Sequence, residues 1–322
     1  YLLTQLFGAS PTVLAVLLNS VQILMILGAN LMLASLATKS PVRRAVFMLA
    51  LGASYTTLLN TLMLEQYVTA YFWLMLAASC ICTGRTQERL GFYGATGSLL
   101  TNVALAPWFS AHNPLRSPLR WLGDMIKLGL SFIVVMLAFA RFDVIWSVVP
   151  KLASLVKFTG GDAWPFVDRV RQFVSFVHDC FLAPVASVSQ GFAPDGILSW
   201  RLAHPENWNL CGLVLLVLMF AGFLLSRRDR LSQLALYWTL FSFVLLAVIG
   251  WGTWESGLIL YALYFGWAYF LLLFRLIEKI AENLHAAWLT PLVLCAAAAL
   301  MLWDNLPGIG ALIDYCITYF PL

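Results

Sequence analysis

Arg141 lies in the run "VVMLAFARFDVIW", where a guanidinium costs a few kcal/mol unless it is paired or reaches a headgroup layer. Pairing with Asp143 or snorkelling to lipid phosphates accounts for it. So does a clamp on the phosphate of a lipid carrier, because guanidinium binds phosphate oxygens through paired donors. Arg201 and His204, in "RLAHPENW", precede a helix start at Pro205, where free backbone N–H groups favour an anion. A plain helix start with Trp208 anchored in the interface explains the same residues. Arg169 and Arg171 offer phosphate chemistry again, or simply the solvated face of an amphipathic helix. Glu65 and Glu255 are carboxylates in two turns between apolar runs. Each either solvates its turn, or the two face a common cavity that takes a polar substrate or a cation. No catalytic base is assigned.

Other chemistries lack their residues. There is no GxSxG, HExxH or Walker pattern, and "GFYGATG" has no strand–turn–helix setting for a dinucleotide. The six cysteines contain no CxxC pair, so neither a metal site nor a disulfide framework is indicated.

The elements that must position these residues follow from composition. Of 322 residues, 61% are hydrophobic and 11% charged, and the mean hydropathy is +0.86. A soluble domain of this length needs far more charged surface. The expectation is therefore an all-α, polytopic transmembrane bundle over residues 1–322, of about eight membrane helices plus a re-entrant pair. Nucleic acid is not an expected partner, whereas membrane lipids are.

A span takes about 20 residues, so distances between charges act as rulers. Thr12 to Ala37 ends at the basic loop Lys39, Arg43, Arg44, which is expected to be cytoplasmic. Arg44 to Glu65 and Glu65 to Arg85 form the next two spans, with Glu65 at an outer turn. Gly91 to Phe109 has basic flanks at both ends, which a re-entrant pair satisfies, its Gly91, Gly94 and Gly97 allowing close packing. Trp121 to Val148 then leads to a long external loop, 150–208. Within it "AWPFVDRVRQFVSFVHDCFLAP" has helical periodicity and is expected to lie in the interface, apolar side down. Cys211–Leu225, Leu231–Ile249, Leu258–Phe274 and Leu284–Trp303 complete the bundle, leaving Asp304 to Leu322 as an external tail. Most basic residues then face the cytoplasm, as expected for a bacterial inner-membrane protein.

Four stretches resemble the multi-spanning GT-C glycosyltransferases, which take a sugar from a polyprenyl-phosphate carrier. "YLLTQLFGASPTVLAVLLNSV" is similar to the helix after that family's first external loop. "LEQYVTAYFWLMLAA" resembles its acidic turn and returning helix, and "ERLGFYGATGSLLTNVALAPW" its Gly-rich segment. "GTWESGLILYALYFGWAYFLLLF" resembles its late "LYxxYFxWA" helix. The family's acidic catalytic motif lies upstream of the segment matched by Tyr1. The resemblance therefore implies either catalytic residues in sequence preceding Tyr1 or a noncatalytic relative.

It also implies an inverting transfer, with Arg141, Arg201 and His204 contacting the leaving phosphate and Glu65 and Glu255 lining the sugar pocket. A divalent metal would assist by neutralising phosphate charge, although no ligand cluster requires one and no other cofactor is evident. Two further classes stay open. Gly-broken helices suit a transporter or flippase of a polar or lipid-linked substrate. The 13 Trp, 22 Phe and 11 Tyr suit a membrane subunit that packs on protein partners not named by the sequence.

Overall fold

The computed structural model of the chain describes residues 10–138, 165–184, 207–252 and 257–319. These are helical, with no strand among the described residues. Two Ser–Pro pairs start the first helices. Ser10 and Ser40 each accept a first-turn amide, from Val13 and Arg43, and the following proline has no N–H to satisfy. They open α1 (Pro11–Ala37) and α2 (Pro41–Ala53).

α3 (Tyr55–Leu62) follows α2 after a bend of 68° at Ser54. The expected straight span from Arg44 to Glu65 is thus broken. The break survives because its backbone groups find partners inside the protein. The Tyr55 and Thr56 amides donate to the Phe181 and Cys180 carbonyls, at 3.0 and 3.5 Å. The Asn305 amide donates to both the Ala53 and Phe181 carbonyls, each at 2.8 Å.

α4 (Gln66–Cys82) and α5 (Leu90–Ser98) pack closely, and a 3-10 helix (Leu100–Phe109) folds back after Leu99 takes an extended conformation. The Gly-rich segment is therefore two short helices, as expected of a broken pair. Gly91 and Gly94 are needed there: a Cβ would meet the Ala77 amide nitrogen at 2.8 Å and the Trp73 ring at 2.3 Å. Gly97, by contrast, faces open space.

Then come α6 (Pro118–Ala138), α7 (Phe166–Asp179), α8 (Leu210–Ser226) and α9 (Arg230–Phe243). α9 continues as a π turn, Val244–Val248. A 3-10 turn (Gly257–Tyr261) leads into α10 (Ala262–Asn283), and α11 (Leu289–Tyr319) follows.

Among the described residues, five segments are long and apolar enough to cross a membrane: Thr12–Ala37, Pro118–Ala138, Arg230–Val248, Leu258–Asn283 and Leu289–Asp314. The bent pair α2 and α3 makes a sixth if taken as one span. Five or six of the expected eight or so spans meet this criterion. α4 and α8 are apolar but have 17 residues each, about 25 Å of rise against a core of about 30 Å. The expected end of the last span at Trp303 is also corrected, because α11 runs through Asp304 and Pro307 to Tyr319.

The centre of the bundle is α10. Its apolar window is 89% buried, against 11% for α1 and 6% for α6 at the periphery. α8 closes on α10 at Gly222, where a Cβ would sit 2.1 Å from the Leu272 carbonyl oxygen. At the Lys39 end, Arg275 donates to the Ala37 carbonyl at 2.8 Å, to Glu278 at 2.7 Å and to Asp229 at 3.0 Å. The other Glu278 oxygen accepts from Arg43 at 3.2 Å. With the Glu278 side chain 8% exposed, this cluster locks the ends of α1, α2, α9 and α10 together.

Candidate functional site

Near the middle of α1, Gln22 grips the turn before α4. Its side-chain amide donates to the Glu65 carbonyl at 2.8 Å, and its oxygen accepts the Glu65 N–H at 3.3 Å. Asn19 likewise donates to the Thr61 carbonyl at 2.9 Å. Glu65 is thereby held at the N-cap of α4, half-buried, its side chain making no capping bond. Burial raises its carboxyl above the usual range.

The second acidic turn arrives at the same place. Gly250 and Gly252 take positive φ values of 77° and 76°, which L side chains rarely adopt, to turn the chain out of the π turn. Glu255 itself lies outside the described residues. Its flanks do not: Trp251 donates to the Tyr261 hydroxyl, and the Tyr261 ring packs edge-on against Tyr67, centroids 5.0 Å apart. Tyr67 is two residues beyond Glu65, so the two turns have touching flanks.

α7 lies across this end. Its residues Phe173, Val174, Phe176 and Val177 are buried against α8, the π turn and α10, while Phe166 and Val167 stay exposed. Most of the stripe expected to rest on lipid thus packs on protein. Gly212 lets α8 approach, since a Cβ there would lie 2.1 Å from the Val174 carbonyl oxygen. Arg169 donates to the Ile249 carbonyl at 3.3 Å, just before the Glu255 turn. Arg171 pairs with Asp168 at 3.0 Å and lies 5.6 Å above the Trp208 ring. Both guanidinium groups retain a buried Nε without a hydrogen-bond partner. Guanidinium groups bind phosphate oxygens through paired donors, which on these two would be the terminal nitrogens.

One pair on α7 escapes a reading of the sequence. His178 and Asp179 count there as polar positions of an amphipathic helix. Yet Gln172, Phe176 and Asp179 recur at helical spacing and are all buried. That spacing was the available signal. Asp179 Oδ1 lies 3.0 Å from His178 Nδ1, which fixes the ring and leaves Nε2 for a second partner. Burial raises the Asp179 carboxyl, and the adjacent imidazole opposes that.

Beneath this surface the "LYxxYFxWA" helix ties the segments together. Tyr264 donates to Asn102 Oδ1 at 2.8 Å, and Asn102 donates to the Ala95 carbonyl at 2.8 Å, bridging α5 and the 3-10 helix. Of the predicted site residues, the structure describes Glu65 alone, two residues from Tyr67, which packs on Tyr261 in the described flank of Glu255. Arg141, Arg201, His204 and Glu255 lie outside the described residues. Among the described residues no three His, Cys, Asp or Glu side chains group as a metal site. The chain matches no protein-family model, no curated protein and no solved structure.

Proposed function

We propose that this chain is, or belongs to, a membrane glycosyltransferase that takes a sugar from a polyprenyl-phosphate carrier at the outer face of a bacterial inner membrane. The observation that carries this reading is the pair Arg169 and Arg171, half-buried guanidinium groups on α7, the first bonded to the Ile249 carbonyl shortly before Glu255. The GT-C-like order of segments supports it. In this scheme α4 and α8 also cross the membrane, giving eight spans, with the Glu65 end outside.

Arg169 and Arg171 hold the carrier phosphate, assisted by Arg141, Arg201 and His204. Glu65 and Glu255 hold sugar hydroxyls. His178 sits one stripe along from Arg171, about 10 Å up the helix, which leaves room for one sugar. Oriented by Asp179, it takes the proton of the acceptor hydroxyl. The acceptor oxygen bonds to the anomeric carbon, the carbon–phosphate-oxygen bond breaks, and polyprenyl phosphate leaves with the electron pair.

The test uses membranes carrying the full-length protein and a radiolabelled polyprenyl-phosphate sugar. Combined Arg169→Gln and Arg171→Gln should weaken donor use at least tenfold. His178→Gln should lower turnover by about a hundredfold with donor binding retained. Unchanged transfer in both variants would falsify the assignment. The 68° break in α2 and α3 favours a second reading, a flippase of the same lipid-linked sugar. Movement of the labelled lipid across proteoliposomes without transfer would establish that instead.

A further inference from the structure

A second basic feature lies at the Lys39 end, far from the proposed transfer site. Where α8 ends and α9 begins, a cavity of about 510 Å³ opens beside α10. That volume is within the range of small-ligand sites. Four cations line it, Arg227, Arg228, Arg275 and Lys279, with Asp229 as the single carboxylate in its wall. That carboxylate is already committed. One of its oxygens accepts the Ser232 amide at 3.1 Å, the Ser232 hydroxyl at 2.8 Å and Arg275 at 3.0 Å. Arg275 keeps a buried Nε with no partner. Arg227 and Arg228 are exposed, and none of the ion pairs among the described residues includes them. The remaining wall is the buried Ser226 with Leu224 and Leu225, each leucine 48% exposed on the last turn of an apolar helix. Cations thus sit directly beneath leucines that face outward, the order in which a phospholipid presents its phosphate and its acyl chains.

We infer that this cavity binds the phosphate headgroup of an anionic phospholipid, with Arg227 and Arg228 on the phosphate and the acyl chains along Leu224 and Leu225. The inference does not rest on the glycosyltransferase reading. Inorganic phosphate shares the headgroup chemistry but would gain nothing from the leucines, so the two sources can be separated.

The test is a titration of the purified full chain in neutral detergent with short-chain phosphatidylglycerol, phosphatidylcholine or inorganic phosphate, read by thermal unfolding and native mass spectrometry. Phosphatidylglycerol should raise the unfolding temperature and remain bound at one per chain, whereas the other two should do neither. Combined Arg227→Gln and Arg228→Gln should weaken that binding on the order of tenfold while leaving the lipid-free unfolding temperature unchanged. Leu225→Ser should weaken phosphatidylglycerol with phosphate unaffected. Equal shifts with phosphatidylcholine, or with phosphate, overturn the anionic-lipid assignment. Phosphatidylglycerol binding unchanged in the double variant overturns the location.

Discussion

At the Lys39 end, Glu278 divides its two oxygens between Arg43 and Arg275, and Arg275 also meets Asp229 and the Ala37 carbonyl. At the Glu65 end, among the described residues, Arg169 bonds the Ile249 carbonyl at 3.3 Å, Arg171 bonds Asp168 and lies over the Trp208 ring, and the Glu65 side chain makes no capping bond. Both ends set arginines near carboxylates at the mouth of the same bundle. They differ in how many bonds the charges share across helices. Charges linked in a network hold helices in register, and removing one strands the rest. Charges with a single bond contribute little to the fold and are free for a ligand.

Substitutions can break or sharpen that contrast. The largest effect should come from Glu278→Ala, which leaves Arg43 and Arg275 without their shared partner. A loss of about 3 to 5 kcal/mol is expected in detergent unfolding. A small effect would mean that this end is as loosely held as the other. Asn305→Ala should cost about 2 kcal/mol, because the Ala53 and Phe181 carbonyls lose their donor inside the protein. It should also speed amide exchange at Tyr55 and Thr56. Combined Arg169→Gln and Arg171→Gln should change stability by less than about 0.5 kcal/mol, measured by the same unfolding assay. A large loss would show these arginines to be structural.

The smallest effect concerns pH. The Glu65 carboxyl is raised by burial above its ordinary value of 4.5, so the folded protein favours its protonated form. That contribution is present below the ordinary value and is lost as pH rises through the raised one. Glu65→Gln should flatten the slope of unfolding temperature against pH in that window, and an unchanged slope would assign it to another group.

Much of this was legible in the amino-acid sequence, for reasons that stop where distant contacts take over. Apolar runs between charges located the helices, since a span needs a fixed length of oily residues. The Ser–Pro starts at residues 10 and 40, the turn at Glu65, and the close approach of Gly91 and Gly94 are local devices. The bend at Ser54 is not local: its partners are Phe181 and Asn305, far along the chain. The same contacts explain the misplaced end of α11, where Asp304, Asn305 and Pro307 read as a terminus. Asn305 is fully buried and serves the break in α2 and α3. His178 and Asp179 were visible as residues, and the spacing of Gln172, Phe176 and Asp179 was the signal that Asp179 points inward, a weak one beside the packing of α7 on α8 and α10.

The Asn305 clamp also bears on how the protein is made. Ala53 and the side chain that satisfies it are 252 positions apart, so a chain emerging from the ribosome inserts its early helices long before the donor exists. During synthesis the kink must either straighten or stay wetted. Completion of the last helix is then the step that dries and sets it.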